Sequence, residues 1–476
     1  MTEVSDDAID GVGFRDPQAA RERIQAHDAE LASLGRPLLE ALGRIPDPDR
    51  ALHNLLRILG RLGSDSDAVL HNPERMRSVV RLAGASDYLA DLLAAQPELL
   101  GVTLELLGEP MADERITHLL RDGRRSVKEL GDPPALDTLR GRELALIAMK
   151  DLEGVESARV SRAMSALAET IIELALELST AMWAERWGLP EEDGRPTRFA
   201  VIGCGKVGSG ELVYGSDLDV IFVCDPGGTC TKRDERGGEE FWTRVAQHLM
   251  SSVQERNLYE IDARLRPWGV QGKIVVNLNT LRKYWDEPRD VWERLAMTRA
   301  VPIAGDPDLG REATAIIRGA AIGRPLPEDA LKQVADMRRR MQELAAGKEH
   351  VKLGPGGYVD AEFVAQLYSL GQPADDLPPG ASIDHTLLAL STLEVLPLEA
   401  AVELGEGLRL LRLIEARMRL RDGGAGSVLP SEAEARELLA KRCGFEDAAA
   451  LDAAVAETRK RLRSWFEELV GPVESA

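Results

Sequence analysis

The sequence predicts a mostly helical α+β fold, with a small mixed β-sheet in the middle of the chain and helical regions on both sides. Aromatic residues make up only 4% of the chain, and Leu and Ala recur between charged residues, a composition that favours helix over strand. Apolar residues recur at helical spacing between residues 16 and 187 and again after residue 328. Only the segment between these regions contains runs that alternate like strands.

A chain of 476 residues is too long for one ordinary core, and changes in composition divide it into three regions. We predict an N-terminal helical region over residues 1–135, a sheet-containing domain over 136–322 and a C-terminal helical bundle over 323–476. Ser86 is placed as a helix N-cap, and one long helix is predicted at Ser157–Trp187. The predicted strands are Phe199–Gly203, Asp217–Val223, Leu258–Pro267 and Gly272–Asn277, and the predicted helices beside them are Phe241–Glu255 and Trp285–Ala300.

Charge and cysteine content restrict the class of protein. The net charge of -21 disfavours a nucleic-acid partner, because a phosphate backbone is bound by positive surfaces. The four cysteines form no Cys-x-x-Cys pair and have no histidine cluster beside them, so we expect no zinc site. Since no stretch is long and apolar enough to span a bilayer, we expect no membrane partner and a cytoplasmic location.

A glycine pattern at Gly203, Gly205 and Gly208 follows the first predicted strand and allows two interpretations. Together with Asp225 it has the outline of a dinucleotide-binding turn, which would make the protein an oxidoreductase. Only eight residues separate Gly208 from the next strand at Asp217. A parallel crossover needs a dozen or more residues, so this spacing disfavours NAD binding.

The second interpretation begins from Asp217 and Asp219, which lie two apart on a predicted strand and therefore share one face. Neighbouring carboxylates repel each other, and a cation relieves that repulsion. Carboxylate oxygens suit Mg²⁺, which also accepts phosphate oxygens from a substrate. The preceding Gly208–Ser209 turn offers backbone N–H groups and a hydroxyl to phosphates, and Lys206 is near enough to contribute.

The third predicted strand supports the metal and phosphate interpretation. Its charged residues Glu260, Asp262, Arg264 and Arg266 share one face, which needs partners if it is buried. Asp262 would complete a set of three carboxylates, and the two arginines would neutralise phosphate charge. The alternative is a solvated strand face with internal ion pairs. The stretch Gly63–Asp67 also reads Gly-Ser-Asp-x-Asp, but no strand follows it, so we predict a loop or a helix start there.

A glycine turn at Gly354–Gly357 precedes a helix that begins with Asp360 and Glu362. The simple interpretation is that the glycines form the turn and that the acids oppose the helix dipole. The functional interpretation is that this loop folds back over the cleft and brings Lys352 close to a phosphate.

Gly-Ser, a short spacer, Asp-x-Asp on a strand and a later strand Asp resemble the nucleotidyltransferase superfamily, which has the DNA polymerase β fold. The sequence is further similar to one catalytic half of the glutamine synthetase adenylyltransferase/adenylyl-removing enzymes, over roughly Ala51 to Val470. This similarity is specific because four separate blocks occur in order: GKVGSGELVYGSDLDVIF, YEIDARLRPWGVQG, WERLAMTRAVPIAGD and VKLGPGGYVDAEFVAQ.

The resemblance implies that residues 136–322 form a nucleotidyltransferase catalytic domain that moves AMP from ATP to a tyrosine hydroxyl of glutamine synthetase. It implies that Asp217, Asp219 and Asp262 hold two Mg²⁺ ions and that Gly208 and Ser209 contact the triphosphate. A homologous half removes AMP by phosphorolysis and gives ADP. The resemblance also implies regulation by the PII signalling protein and by glutamine.

The sequence departs from the family pattern at Gly210, Val301 and Ala361, where larger residues or arginine are common. These positions bear on specificity more than on activity, because none belongs to the three carboxylates. One motif set is present instead of two, so we expect one of the two reactions or one piece of a split system. The stretches Tyr214–Asp219 and Gly84–Leu93 favour the transferring half, and a non-catalytic module that binds PII or glutamine synthetase is a further alternative.

Overall fold

The computed structural model describes residues 9–27, 31, 35–62, 72–131, 134–424 and 426–473. The prediction of a mostly helical α+β fold is confirmed, with 64% helix, 8% strand and small mixed sheets. The stretch Gly63–Asp67, for which we predicted a loop or a helix start, lies outside the described residues. In the part of the chain that is described, no helix is long and apolar enough to cross a membrane.

The N-terminal part of the chain is helical. Side chains of Asp16, Asn72 and Ser86 accept hydrogen bonds from backbone N–H groups in the first turn of the helix that each precedes, which confirms the predicted cap at Ser86. These helices are α1 (Pro17–Ala26), α2 (Gly35–Leu42), α3 (Pro48–Leu62), α4 (Pro73–Ala85), α5 (Asp87–Ala95), α6 (Glu98–Glu105), α7 (Ile116–Leu130), α8 (Pro134–Leu152) and α9 (Ser157–Trp187). The bounds of α9 are those predicted.

The strands follow α9 and form a four-stranded sheet and a five-stranded sheet. In chain order they are β1 (Pro190–Glu192), β2 (Arg195–Pro196), β3 (Phe199–Gly203), β4 (Leu218–Cys224), β5 (Thr229–Cys230), β6 (Arg233–Gly237), β7 (Ile261–Asp262), β8 (Val275–Asn277) and β9 (Val301–Gly305). The four-stranded sheet has the order β2-β1-β5-β6 and is antiparallel. Strand β6 is exposed along its whole length, whereas Cys230 of β5 is buried.

The five-stranded sheet is mixed, with the order β7-β4-β3-β9 and with β8 also paired to β4. Strand β4 runs antiparallel to β3 and parallel to β7 and β8. The antiparallel pairing of β3 and β4 contradicts the dinucleotide-binding alternative, which needs two parallel strands joined by a crossover helix. Between them lies only the four-residue helix α10 (Gly205–Gly208).

Helices cover both faces of this sheet, and more helices follow towards the C-terminus. They are α11 (Gly238–Gln254), α12 (Leu278–Asp286), α13 (Val291–Met297), α14 (Pro307–Ala321), α15 (Ala330–Glu343), α16 (Val359–Ser369), α17 (Ile383–Thr392), α18 (Leu398–Asp422), α19 (Ala433–Arg442) and α20 (Ala448–Leu469). Along β3, Val201 packs in the apolar cluster that contains α9 and α11, whereas Ile202 packs in the cluster that contains α12 and α14. This alternation follows from the two-residue period of a strand.

Two sequence predictions in this region were wrong in extent. The third strand was predicted at Leu258–Pro267, but β7 contains only Ile261–Asp262, because the chain turns after it. The guanidinium of Arg266 holds that turn by donating hydrogen bonds to the carbonyls of Ala263, Val270 and Gly272. The predicted helix Trp285–Ala300 is divided between α12 and α13 near Pro288, which cannot continue a helix.

Replacing Glu169 on α9 with Gln should stabilise the protein above neutral pH. Burial raises the pKa of Glu169 from its usual value near 4.5 to about 7. Stability is therefore lost as the pH rises from 4.5 through 7, because the unfolded chain ionises this carboxyl earlier than the folded one. We expect Glu169→Gln to gain about 2 kcal/mol at pH 8 and almost nothing at pH 4.5, measured by urea unfolding. The exposed Glu185→Gln on the same helix should show no such pH-dependent gain.

Candidate active site

Adjacent parallel strands bring the three predicted carboxylates together. Asp219 on β4 lies directly opposite Asp262 on β7 in the strand register, and Asp217 immediately precedes β4. The backbone N–H of Leu218 donates to the carbonyl of Glu260, which extends the pairing by one residue. Asp217 is exposed, whereas Asp219 and Asp262 are partly buried. The carboxylates therefore meet at one edge of the mixed sheet.

The pKa of Asp219 reflects the approach of the other two carboxylates. Burial, together with the charges of Asp217 and Asp262, raises the pKa of Asp219 to about 6. The positive charges of Arg299 and Lys352 act in the opposite direction. Asp262 differs, because its hydrogen bonds with Arg264 lower its pKa. Of the three carboxylates, Asp219 is thus the one whose ionised form is disfavoured, and a bound cation would relieve the repulsion on it.

The donor set is suited to a hard cation, although the described residues include no group of three His, Cys, Asp or Glu side chains already arranged around one metal position. The repulsion at Asp219 and the exposed carboxylate of Asp217 fit Mg²⁺, which prefers carboxylate and water oxygens. Both oxygens of Asp262 instead accept hydrogen bonds from Arg264. Arg264 thus occupies part of the acceptor capacity of Asp262, and the remainder is left for a cation.

The glycine turn between β3 and β4 lies against these carboxylates. Gly205 has φ +52°, and a Cβ atom there would clash with the side chain of Asp219. A Cβ atom on Gly208 would clash with the backbone carbonyls of Arg299 and Gly203. The backbone N–H of Cys204 donates to the carbonyl of Asp219. Only glycine allows the turn to approach the strand this closely.

Gly208→Ala should destabilise the protein, because the carbonyls that its Cβ would meet belong to backbone that cannot move freely. We expect a loss of about 2–4 kcal/mol in the free energy of unfolding, measured by urea denaturation. The matched control is Gly319→Ala in the exposed part of α14, where nothing lies within 4 Å of an added Cβ. That variant should gain about 0.5–1 kcal/mol. Equal effects of the two substitutions would contradict the packing argument.

The polar residues of the turn have partners within the protein. Ser209 is buried, and its hydroxyl donates a hydrogen bond of 2.6 Å to Glu211. The ammonium of Lys206 lies 3.3 Å from Glu415 and donates to the hydroxyl of Tyr358. Burial lowers the pKa of Lys206 to about 8, although Glu415 opposes this shift. Other side chains thus engage both Lys206 and Ser209 in this structure, and their predicted contact with the triphosphate stays a prediction.

The two arginines after Asp262 have different environments. Arg264 is exposed and paired with Asp262. Arg266 uses its donors on backbone carbonyls of its own turn, so it does not share a strand face with Asp262 as predicted. The three carbonyls use three of the five guanidinium donors, so two remain for a ligand, and the assignment of Arg266 to phosphate binding stays a prediction.

The C-terminal glycine turn brings Lys352 within electrostatic reach of Asp219. Lys352 also acts on Lys206 and Glu415, and among the described residues no hydrogen bond or ion pair engages its ammonium. Lys352 is therefore a partly buried cation that is available to a ligand, and its contact with a phosphate stays a prediction. The next helix, α16, begins beside it.

The acids of α16 have buried cationic partners, an arrangement that the dipole argument did not foresee. Asp360 pairs with Arg338 and Arg463, and Glu362 pairs with Arg412. The separate partners of the two acids follow from their spacing, because residues two apart on a helix point in different directions.

Sequence reasoning missed a group of charged residues that joins the turn to the C-terminal helices. Arg412 on α18 bonds both Glu211 and Glu362, and Arg299 lies 3.6 Å and 3.9 Å from the same two acids. Although burial opposes ionisation, Arg412 and Arg299 lower the pKa of Glu362 to about 2. Arg299 lies within the block WERLAMTRAVPIAGD, so its proximity to the motif residues was the available signal.

The mixed sheet, the glycine turn and the carboxylates on adjacent strands are typical of the nucleotidyltransferase class of domains, and they place the chain in that class. Residues 76–316 match the family model described as glutamate-ammonia ligase adenylyltransferase. Residues 329–470 match the model described as GlnD PII-uridylyltransferase. The chain belongs to the glutamate-ammonia ligase adenylyltransferase family, which confirms the resemblance seen in the sequence.

Relatives from several bacteria are named bifunctional glutamine synthetase adenylyltransferase/adenylyl-removing enzymes. The protein from Streptomyces coelicolor is 33% identical over 90% of this chain and 43% of its own length. Those from Thioalkalivibrio sulfidiphilus and Leifsonia xyli are each 32% identical, over 89% and 94% of this chain and 48% and 47% of their own lengths. The chain thus spans less than half the length of these relatives.

Proposed function

We propose that this protein transfers AMP from ATP to a tyrosine hydroxyl of glutamine synthetase in an Mg²⁺-dependent reaction. The observation that carries the proposal is the register of β4 and β7, which sets Asp219 opposite Asp262 beside the glycine turn. The raised pKa of Asp219 supports it, because a site that gathers uncompensated carboxylates suits metal-assisted chemistry. The names of the relatives support glutamine synthetase as the substrate.

Different residues of the chain would carry out different parts of the reaction. Asp217 and Asp219 would hold the ions, and Asp262 would join them after Arg264 turns to the incoming phosphates. Mg²⁺, when bound, supplies Lewis acidity towards phosphate oxygens. Gly208 lets the backbone approach the triphosphate closely, and Lys352 neutralises phosphate charge. Asp262 would accept the proton of the tyrosine hydroxyl, whose oxygen would attack the α-phosphorus as pyrophosphate departs.

The experiment offers α-labelled ATP and Mg²⁺ to unmodified glutamine synthetase from the same source. The Asp217→Asn/Asp219→Asn variant runs beside the unaltered chain, with Asp234→Asn in the exposed strand β6 as a matched control. Label should appear on the synthetase with the unaltered chain and the control, and be absent with the double variant. Conversion of the acceptor tyrosine to phenylalanine should also prevent labelling.

A parallel reaction tests the reverse direction, which the relatives' names also support. Labelled adenylylated glutamine synthetase is offered inorganic phosphate, and release of labelled ADP would identify the removing activity. If neither reaction occurs with folded partners present, both catalytic proposals fail and a non-catalytic binding module remains. PII is a further proposed partner. Adding PII to both reactions tests whether it changes the rate of transfer or the rate of removal.

A further inference from the structure

Arg299 lies at the junction of the glycine turn, the carboxylates and the C-terminal helices. It follows α13 and precedes β9, and its carbonyl packs against Gly208 so closely that no Cβ would fit. Its side chain is only 12% exposed. Its charge acts on Asp219 and on Cys204, the residue that opens the turn. The guanidinium is therefore held near the residues that the proposed reaction uses.

The guanidinium of Arg299 is poorly satisfied by the protein. Among the described residues, its buried Nε and Nη1 have no hydrogen-bond partner, and its distances to Glu211 and Glu362 are those of loose ion pairs. Arg412 already donates hydrogen bonds to both acids, although its own Nε has no partner in the described part of the chain. A buried donor without an acceptor is costly, so an anion that accepts from Arg299 would be bound favourably.

The surrounding charges favour an anion as well. Four cations of this region interact electrostatically with a shared set of buried acids. The cations are Arg299, Arg412, Lys206 and Lys352, and the acids are Glu211, Glu362 and Glu415. Arg419 adds a further cation to Glu415. Cations thus outnumber carboxylates in this wall of the cleft, in a chain whose net charge is -21. Local positive charge in an acidic protein is a means of attracting an anionic substrate.

We propose that Arg299, together with Lys352, binds the phosphate oxygens of the substrate and neutralises the charge that develops on the departing group. This inference rests on the proposed function. As the tyrosine oxygen bonds to the α-phosphorus, the bond to the bridging oxygen breaks and its electron pair passes to pyrophosphate. The hydroxyl proton leaves to a base or to solvent. A guanidinium suits this role because its planar donors match phosphate oxygens in pairs.

The competing explanation is that Arg299 only neutralises Glu211 and Glu362 and so supports the loop. The two explanations predict different behaviour for a lysine at this position. A lysine keeps the positive charge beside the acids but loses the paired donors. Arg412 provides the comparison, because it has the same acidic partners and makes the direct hydrogen bonds to them.

The test measures binding of Mg²⁺-pyrophosphate by isothermal titration calorimetry to the full chain and to Arg299→Lys and Arg412→Lys, after thermal melts show that each is folded. We expect Arg299→Lys to weaken binding roughly 10- to 100-fold, as loss of a bidentate phosphate contact does, and Arg412→Lys to change it less than about threefold. Arg412→Lys should instead lower the melting temperature more.

Two outcomes would overturn the inference: unchanged binding by Arg299→Lys, or an equal weakening by both variants. If Arg412→Lys does not fold, Arg299→Gln replaces it as the comparison, because Arg299→Gln should lose more affinity for pyrophosphate than Arg299→Lys does. If Arg299→Gln and Arg299→Lys both bind pyrophosphate as tightly as the unaltered chain, the inference is again contradicted. If the unaltered chain binds neither ATP nor pyrophosphate, the proposed function itself fails, which separates that failure from this one.

Discussion

Asp219→Asn is expected to lower the rate of adenylyl transfer on the order of 10³-fold, because it removes the carboxylate that the strand register places at the centre of the site. Asparagine has nearly the same shape, so the loss would report charge and not packing. The rate is measured as initial label transfer from α-labelled ATP at saturating glutamine synthetase. Asp234→Asn, on the exposed strand β6, should leave the rate unchanged.

Asp219→Asn, although it lowers the rate of transfer, should raise the stability of the folded chain when divalent cations are absent. Burial and the neighbouring carboxylates raise the pKa of Asp219 to about 6, so its ionised form is unfavourable at pH 8. Asp219→Asn should therefore melt at a higher temperature than the unaltered chain in chelator. Added Mg²⁺ should stabilise the unaltered chain and have little effect on the variant, since only binding to the folded state shifts unfolding. Equal stabilisation of both by Mg²⁺ would place the cation elsewhere.

Asp360→Ala is expected to cost about 3–5 kcal/mol in the free energy of unfolding, because it leaves Arg338 buried without its counter-ion. Both side chains are fully buried, and Arg463 also lies 3.1 Å from Asp360. Arg338 further donates to the carbonyls of Leu353 and Gly354. The variant should thus loosen the turn that carries Lys352 and weaken ATP binding as well, which urea unfolding and calorimetry would measure.

The control for this prediction is an ion pair on the surface of the neighbouring helix. Arg339 and Glu343 lie one helical turn apart on α15 and are both partly exposed. Glu343→Ala should cost less than about 0.5 kcal/mol, because exposed pairs are screened by solvent. A loss below 1 kcal/mol for Asp360→Ala would show that the buried pair does not hold the turn.

Local pattern was sufficient for the strands that are buried on both faces and for the carboxylates on them. Strand β3 was predicted with its observed bounds, and β4 was displaced by one residue, because continuous apolar runs and two-residue alternation are properties of the chain itself. The spacing from Gly208 to Asp217 was also enough to disfavour a parallel crossover. The pairing of β3 and β4 is antiparallel, as that spacing required.

Side-chain contacts, both within one turn and between distant segments, decided what the local pattern could not. The run after Asp262 alternates like a strand, yet the bonds of Arg266 to nearby carbonyls turn the chain. Lys206 has the position of a phosphate ligand in the motif, but Glu415, more than two hundred residues later, pairs with it. The periodicity of the sequence around Lys206 contains no information about a partner so far along the chain.

By itself, the sequence determined the fold class and the positions of β3 and β4, because these depend on short-range spacing and on the chemistry of each residue type. The role of Asp217, Asp219 and Asp262 as one set stays a prediction, which the register of Asp219 opposite Asp262 supports. Only the tertiary structure decided that Lys352 and Arg299 come within electrostatic reach of Asp219. It also decided that, within the described residues, the Lys352 ammonium is unpaired and two donors of Arg299 have no acceptor. Those properties depend on which charged groups become neighbours once the helices pack, and a buried charge is governed by its neighbours in space.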